Sequence, residues 1–192
     1  MINIRNRLRF WQNPGLLWFG LVLLASIGTC VNSLDLPGSG PRLARLGNGA
    51  SFLDMRFYYS SETATHFVAA IGPAGRASCL FFYSSWDLVI PLFAWLWSTA
   101  AIEYLYRLYD SRRWLRLLPL AACAFDLSEN ISIALLVCGY RNPSPFIASL
   151  AGAVTALKWA TYAATVLCLA AGFFRRTRLH EPSLTSKSLE RN

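Results

Sequence analysis

LLPLAACAFDLSENISIALLVC, residues 117–138, is the stretch on which the fold turns. A helix needs about 20 predominantly apolar residues to cross the hydrocarbon core of a bilayer, and this run is long enough. Its middle nevertheless holds Asp126, Glu129 and Asn130. Ionisable groups at that depth are costly and face a bundle interior, a cavity or a partner. Spacings of three and four residues place all three on one face of the helix. Asp126 lies 12 residues beyond Trp114, roughly 18 Å at helical rise, and is thus close to the midplane.

Composition agrees with a membrane reading. Of 192 residues, 55% are hydrophobic and 15% are charged, against roughly 25% charged in an ordinary soluble domain. The formal net charge is +8, but the basic residues cluster beside the apolar runs. Topology and lipid headgroups explain them without nucleic acid, for which the chain carries no helix-turn-helix, zinc-finger or RNP pattern. The cysteines Cys30, Cys79, Cys123, Cys138 and Cys168 form no CxxC pair. They read as packing residues, with a Cys30–Cys79 bridge left open.

Working outward, the sequence divides into four apolar spans, about 14–34, 83–106, 117–138 and 146–174. A basic lead with Arg5, Arg7 and Arg9 precedes the first. That pattern also fits a signal peptide, but three further spans favour a retained helix. Residues 35–82 are too polar to span and too aromatic for a plain linker. With Phe52, Met55, Phe57, Tyr58, Tyr59 and Phe67 they predict an ordered cap against the membrane. A short helix over 62–71 is expected there, capped by Ser60 or Ser61 and stopped by Gly72 and Pro73. Another helix is expected from near Ala74 into the second span, which Pro91 kinks. Residues 180–192 form a polar tail. The expected fold is all-α, a four-transmembrane-helix bundle in a single membrane domain, 1–179.

Orientation follows from counting Lys and Arg. The lead carries three, the 107–116 turn four and the C-terminal end from Arg175 five, while the turn after the third span has only Arg141. The positive-inside rule places both termini in the cytoplasm and the cap outside.

The fourth helix brings Lys158 to the depth of Asp126, with Thr155, Tyr162 and Thr165 on its face. Asp87 stands near the cap end of the second span. The expected site is therefore a polar cavity opening toward the outer side, walled by Asp87, Asp126, Glu129, Asn130, Lys158 and Tyr162. Asp54, Arg56 and Arg76 complete it from the cap. Asp126 and Glu129 are the candidate acid–base residues, one relieved by pairing with Lys158 and the other left to hold a proton or a cationic ligand. Three readings stay open: a ligand site, a structural polar clasp and a proton or ion pathway. A metal site is not expected, because only His66 and His180 exist and a three-residue acid pair alone is weak. No GxSxG, HExxH, Walker A or GxGxxG motif is present, so no cofactor is expected.

The run LDMRFYYSSETATHFVAAIGPAGRASCLFFYSSWDLVIPLF (53–93), followed by FDLSEN and by Lys158–Trp159, resembles a family of small bacterial four-span membrane proteins of unassigned function. The likeness covers about residues 54–159. It implies an inner-membrane, multi-pass architecture and no activity. A looser similarity is to sterol isomerase and sigma-2-receptor-like bundles, which place acidic residues in a lipid-accessible cavity. It implies roles for Asp126 and Glu129 in proton transfer, with Asn130 orienting one of them, although the histidine and Trp-Glu-Tyr arrangement of that group is absent. The functional expectation is an intramembrane acidic site that binds, and acts by acid–base chemistry on, a lipid or amphipathic small molecule. The alternatives are a non-enzymatic accessory subunit and a small proton- or ion-coupled carrier. A homo-oligomer is left open.

Overall fold

The structure, a computed structural model, describes residues 13–106 and 114–179. The basic lead, most of the basic turn and the polar tail lie outside the described residues. Among these residues the chain is all-helical, and four helices are long and apolar enough to cross a membrane.

Helix α1 (Pro14–Ser33) starts where Asn13 accepts a hydrogen bond from the Gly15 amide at 2.9 Å, with Pro14 in the first turn. Pro costs nothing there, because the first amides of a helix have no intrahelical partner. The cap follows as α2 (Gly40–Leu46), a 3-10 turn (Leu53–Met55), α3 (Ser61–Ala70) and α4 (Gly72–Ser84). It thus holds three α-helices where the sequence predicts one short helix and a lead-in. Gly72 has φ +65°, a region that a side chain disfavours, and there the chain turns from α3 into α4. Helix α5 (Trp86–Tyr106) continues α4 after a break at Ser85, whose backbone leaves helical geometry. Helix α6 (Leu117–Cys138) and helix α7 (Pro145–Leu179) form the most extensive helix pair.

Hydrogen bonds set the relative directions. Trp97 Nε1 donates to the Leu17 carbonyl at 2.8 Å, tying α5 to α1. Glu103 pairs with Arg116 at 2.6 Å, and Arg176 donates to the Tyr104 carbonyl at 2.9 Å. The start of α1, the end of α5, the start of α6 and the end of α7 therefore share one end of the bundle. The cap occupies the other.

The cap is ordered because it owns a core. Leu43, Phe52, Leu53, Tyr59, Phe67, Val68, Ile71 and Phe82 are buried together against Ile133, Leu136 and Val137 of α6 and Ala148 and Ala151 of α7. Phe52 stacks on Phe82 with centroids 4.0 Å apart. Met55, Phe57 and Tyr58, expected to pack there, point outward instead. The 3-10 turn ends at Met55, and of residues 56–59 in the extended chain that follows only Tyr59 is buried. No disulfide links the five cysteines.

The entry to α3 gives a small, local test. Ser60 Oγ accepts from the Thr63 amide at 3.2 Å and contacts Thr63 Oγ1 at 3.0 Å. Ser60→Ala is expected to cost about 1 kcal/mol, read as faster amide exchange confined to α3. Unchanged exchange would show that the cap bond is idle.

Candidate functional site

One turn below the apolar layer of the cap, four helices and the 3-10 turn converge on a buried polar cluster. Asp54, Asp87, Asp126, Glu129, Asn130, Thr155 and Lys158 are all buried, Glu129 and Thr155 completely. The cluster holds four of the chain's ten acidic residues and a single lysine.

Lys158 is its hub. Its ammonium lies 2.5 Å from Glu129 Oε2 and 3.6 Å from Asp126 Oδ1. The face shared by Asp126 and Glu129 thus meets the Lys158 face across the α6–α7 interface. Thr155, one turn before Lys158, donates to Glu129 Oε1, and Tyr162, one turn after it, donates to Asp126 Oδ2 at 2.6 Å. Tyr59 of the cap reaches Glu129 Oε1 at 3.5 Å. These contacts run without interruption from Tyr59 through Glu129, Lys158 and Asp126 to Tyr162.

Asn130 has a definite backbone task. Pro91 has no amide hydrogen, so it leaves the carbonyl four residues earlier, that of Asp87, without its helical donor. Asn130 Nδ2 supplies the missing donor at 2.6 Å. This bond joins α6 to α5 at the proline and leaves Asn130 Oδ1 facing inward. Neither that oxygen nor Asp87 Oδ2 finds a hydrogen-bond partner, and Asp126 Oδ1 has only the longer ion-pair contact with Lys158. Within the cluster the unmatched atoms are all acceptors; the other two among the described residues, Ser78 Oγ and Thr99 Oγ1, are hydroxyls outside it. The site is short of donors and of positive charge.

Asp54 enters from the cap. Tyr83 donates to its Oδ1 at 3.1 Å, and Trp159 Nε1 donates to its backbone carbonyl at 3.0 Å. Burial pushes the Asp54 carboxyl above its usual 3.8, opposed by the Lys158 ammonium and the Tyr83 bond and reinforced by Asp126. Burial likewise raises the Tyr59 phenol, with Glu129 adding to the shift, so Tyr59 stays a donor. Because the docked cap holds the Asp54 proton more tightly than a released cap, docking is strongest below 3.8 and weakens as pH rises through the folded-state value. Amide exchange across residues 52–59, corrected for intrinsic rates, is expected to show protection that falls with pH, and Asp54→Asn to flatten that slope. An equal slope in the variant would assign the effect to the other acids.

The residues marked out by sequence do not all meet here. Asp54, Asp87, Asp126, Glu129, Asn130, Lys158 and Tyr162 do. Arg56 is exposed, and Arg76 lies elsewhere, 3.5 Å over the Tyr140 ring and donating to the Val68 carbonyl at 3.1 Å. There it pins α4 to the end of α3 and to the α6–α7 turn. Tyr59, expected only as an aromatic of the cap, and Tyr83, which only marks the start of the second span in the sequence, are also members; a buried Tyr needs a partner for its hydroxyl, which is the available signal. The opening expected from the sequence lies on the cap side. The apolar layer of the cap covers that side, whereas Trp159 and Tyr162, 6.4 Å apart edge to face, stay partly exposed on the flank of α7.

Among the described residues, no group of three His, Cys, Asp or Glu side chains is arranged to hold a metal ion. No family model, curated protein or solved structure matches the chain.

Proposed function

We propose that this is a multi-pass inner-membrane protein, with both termini cytoplasmic, whose buried acidic cluster binds the cationic or donor-rich head group of an amphipathic molecule. The observation that carries this reading is the imbalance around Lys158. Four carboxyl groups share one ammonium, and Asp87 Oδ2 and Asn130 Oδ1 lack donors altogether. Buried carboxylates without donors are costly. An amine or polyol head group would supply both charge and hydrogen bonds. The exposed flank at Trp159 and Tyr162 supports entry from the hydrocarbon, with the apolar part of the ligand left in the membrane. Asp126 and Glu129, each in contact with Lys158 and with a hydroxyl donor, are the groups placed to take up and return a proton.

The test is thermal stabilisation of the detergent-purified chain by dodecylamine, with dodecanoate as the matched anion. A ligand that binds only the folded state stabilises it by roughly 2.7 kcal/mol at a hundredfold excess over Kd. The amine is expected to raise Tm in the parent chain and to fail in Asp126→Asn and Glu129→Gln that still fold. Equal shifts from both surfactants, or an undiminished shift in both variants, would overturn the assignment. A second reading, a proton-coupled carrier, is favoured by the unbroken Tyr59–Glu129–Lys158–Asp126–Tyr162 run. It requires a proton flux in sealed liposomes that Lys158→Met removes.

A further inference from the structure

At the end of the bundle away from the cap lies a second site of the opposite electrostatic character. Helices α1 and α7 both pack on α5 but make little contact with each other. A cleft of about 770 Å³ remains between them, within the roughly 300–1,000 Å³ of small-molecule sites. Its walls are apolar: Leu17 and Trp18 of α1, and Val166, Ala170 and Phe173 of α7, over a floor that includes Ala101 of α5.

The spacing of the walls is built. A Cβ at Gly20 would lie 2.6 Å from Trp97 Cδ1, and one at Gly172 would lie 2.7 Å from Tyr106 Cε2. Both flanking helices are therefore seated on α5 at glycines. The Trp97 bond to the Leu17 carbonyl fixes α1 in that seat. Neither helix can roll inward to close the cleft without losing its own contact with α5.

One end of the cleft is basic. Arg176 lines it, its guanidinium 3.9 Å over the Tyr104 ring and bonded to the Tyr104 carbonyl. Arg175 is adjacent in sequence, and the sequence segments that join this end carry Arg5, Arg7, Arg9, Arg107, Arg112 and Arg113 against one acid, Asp110. The described acid at this end, Glu103, is paired with Arg116. Tyr104 and Trp18 supply the amphipathic aromatic rings that favour the headgroup level.

We infer that this cleft is a binding site for an anionic phospholipid, with an acyl chain lying along α5 and the phosphate at Arg176. Charge complementarity selects the anion, because a guanidinium presents several donors to phosphate oxygens. Continuity of the apolar walls with the lipid-facing surface selects a membrane lipid as its source. The site is separate from the acidic cluster and does not depend on what that cluster binds.

The full chain is reconstituted in vesicles of equal parts phosphatidylglycerol and phosphatidylcholine, released into mild detergent and weighed by native mass spectrometry. The parent chain is expected to retain one phosphatidylglycerol, enriched about tenfold over phosphatidylcholine, a ratio within reach of one charge-assisted contact. Arg176→Gln is expected to keep a lipid but lose the preference. Ala170→Trp, which fills the cleft from its α7 wall, is expected to lose the retained lipid. Val166→Trp, at an exposed wall position, gives the same reading should Ala170→Trp not fold. Retained lipid in the ratio of the vesicle mixture, an unchanged preference in Arg176→Gln, full retention in the filled variants, or a dimer without lipid would each overturn the assignment.

Discussion

Lys158→Met is expected to destabilise the fold by about 3–5 kcal/mol, the cost of removing one partner from a buried ion pair. The ammonium faces Glu129 at 2.5 Å and Asp126 at 3.6 Å. Without it these two acids, with Asp54 and Asp87 beside them, have no cation in the cluster. The loss should be read as a lower Tm or denaturation midpoint in detergent. Protonating the stranded carboxyls recovers part of it, so the deficit is expected to shrink as pH falls. Adding Glu129→Gln to Lys158→Met removes the closest unpaired charge and should restore a large share of the stability. A single variant as stable as the parent chain would mean that Lys158 is not the neutralising group of the cluster. A double variant no better than the single would mean that packing dominates over charge.

The second large effect is expected at Gly152. A Cβ there would lie 2.0 Å from the Tyr59 carbonyl oxygen and 3.1 Å from its carbon. Both are backbone atoms on the extended segment of the cap, and Gly152 itself sits inside α7, so neither side can yield cheaply. Overpacking of this kind costs about 1–3 kcal/mol and occasionally more. The cap is the weaker partner, held by the Phe52–Phe82 layer and by the bonds of Asp54 and Tyr59. Gly152→Val is therefore expected to undock residues 52–60 while the α6–α7 pair stays intact. Amide exchange should rise sharply in that segment and little in α6. Unchanged protection of 52–60 would show that the cap finds another seat.

These two positions also mark what a sequence can and cannot disclose here. Lys158 was legible. A charge inside an apolar run must face something, and depth counting along two antiparallel spans brings it level with Asp126 and Glu129. The four spans were legible for the same reason, since length and hydropathy determine them. Gly152 was silent, because a glycine in an apolar helix carries no mark of the backbone that crosses it. Asp54 was placed correctly near the site, but only the path of the cap across Gly152 explains how a residue outside the spans reaches Lys158. The link between Pro91 and Asn130 was half visible: the proline identifies the Asp87 carbonyl that loses its donor, yet which side chain replaces it depends on the α5–α6 register. Arg56 and Arg76 do not reach the cluster: Arg56 follows the 3-10 turn, where the sequence carries no period to give direction, and Arg76 lies on a face of α4 turned to the α6–α7 turn. One stays outside, and the other stacks on Tyr140.

The account implies a division of labour along the bundle. The cap end gathers acids beneath an apolar lid, and the opposite end gathers arginines around an apolar cleft. The two proposed ligands follow that division, an amphipathic molecule with a cationic or donor-rich head at the first end and an anionic lipid at the second.

The most direct measurement of the central claim is identification, by native mass spectrometry with metabolite and lipid analysis, of what the purified chain carries, with Asp126→Asn beside it. A defined amphipathic molecule with an amine or polyol head group is expected on the parent chain and absent from a folded Asp126→Asn. The same bulk lipid on both, and nothing else, would contradict it and leave the cluster as a clasp between helices or a path for protons.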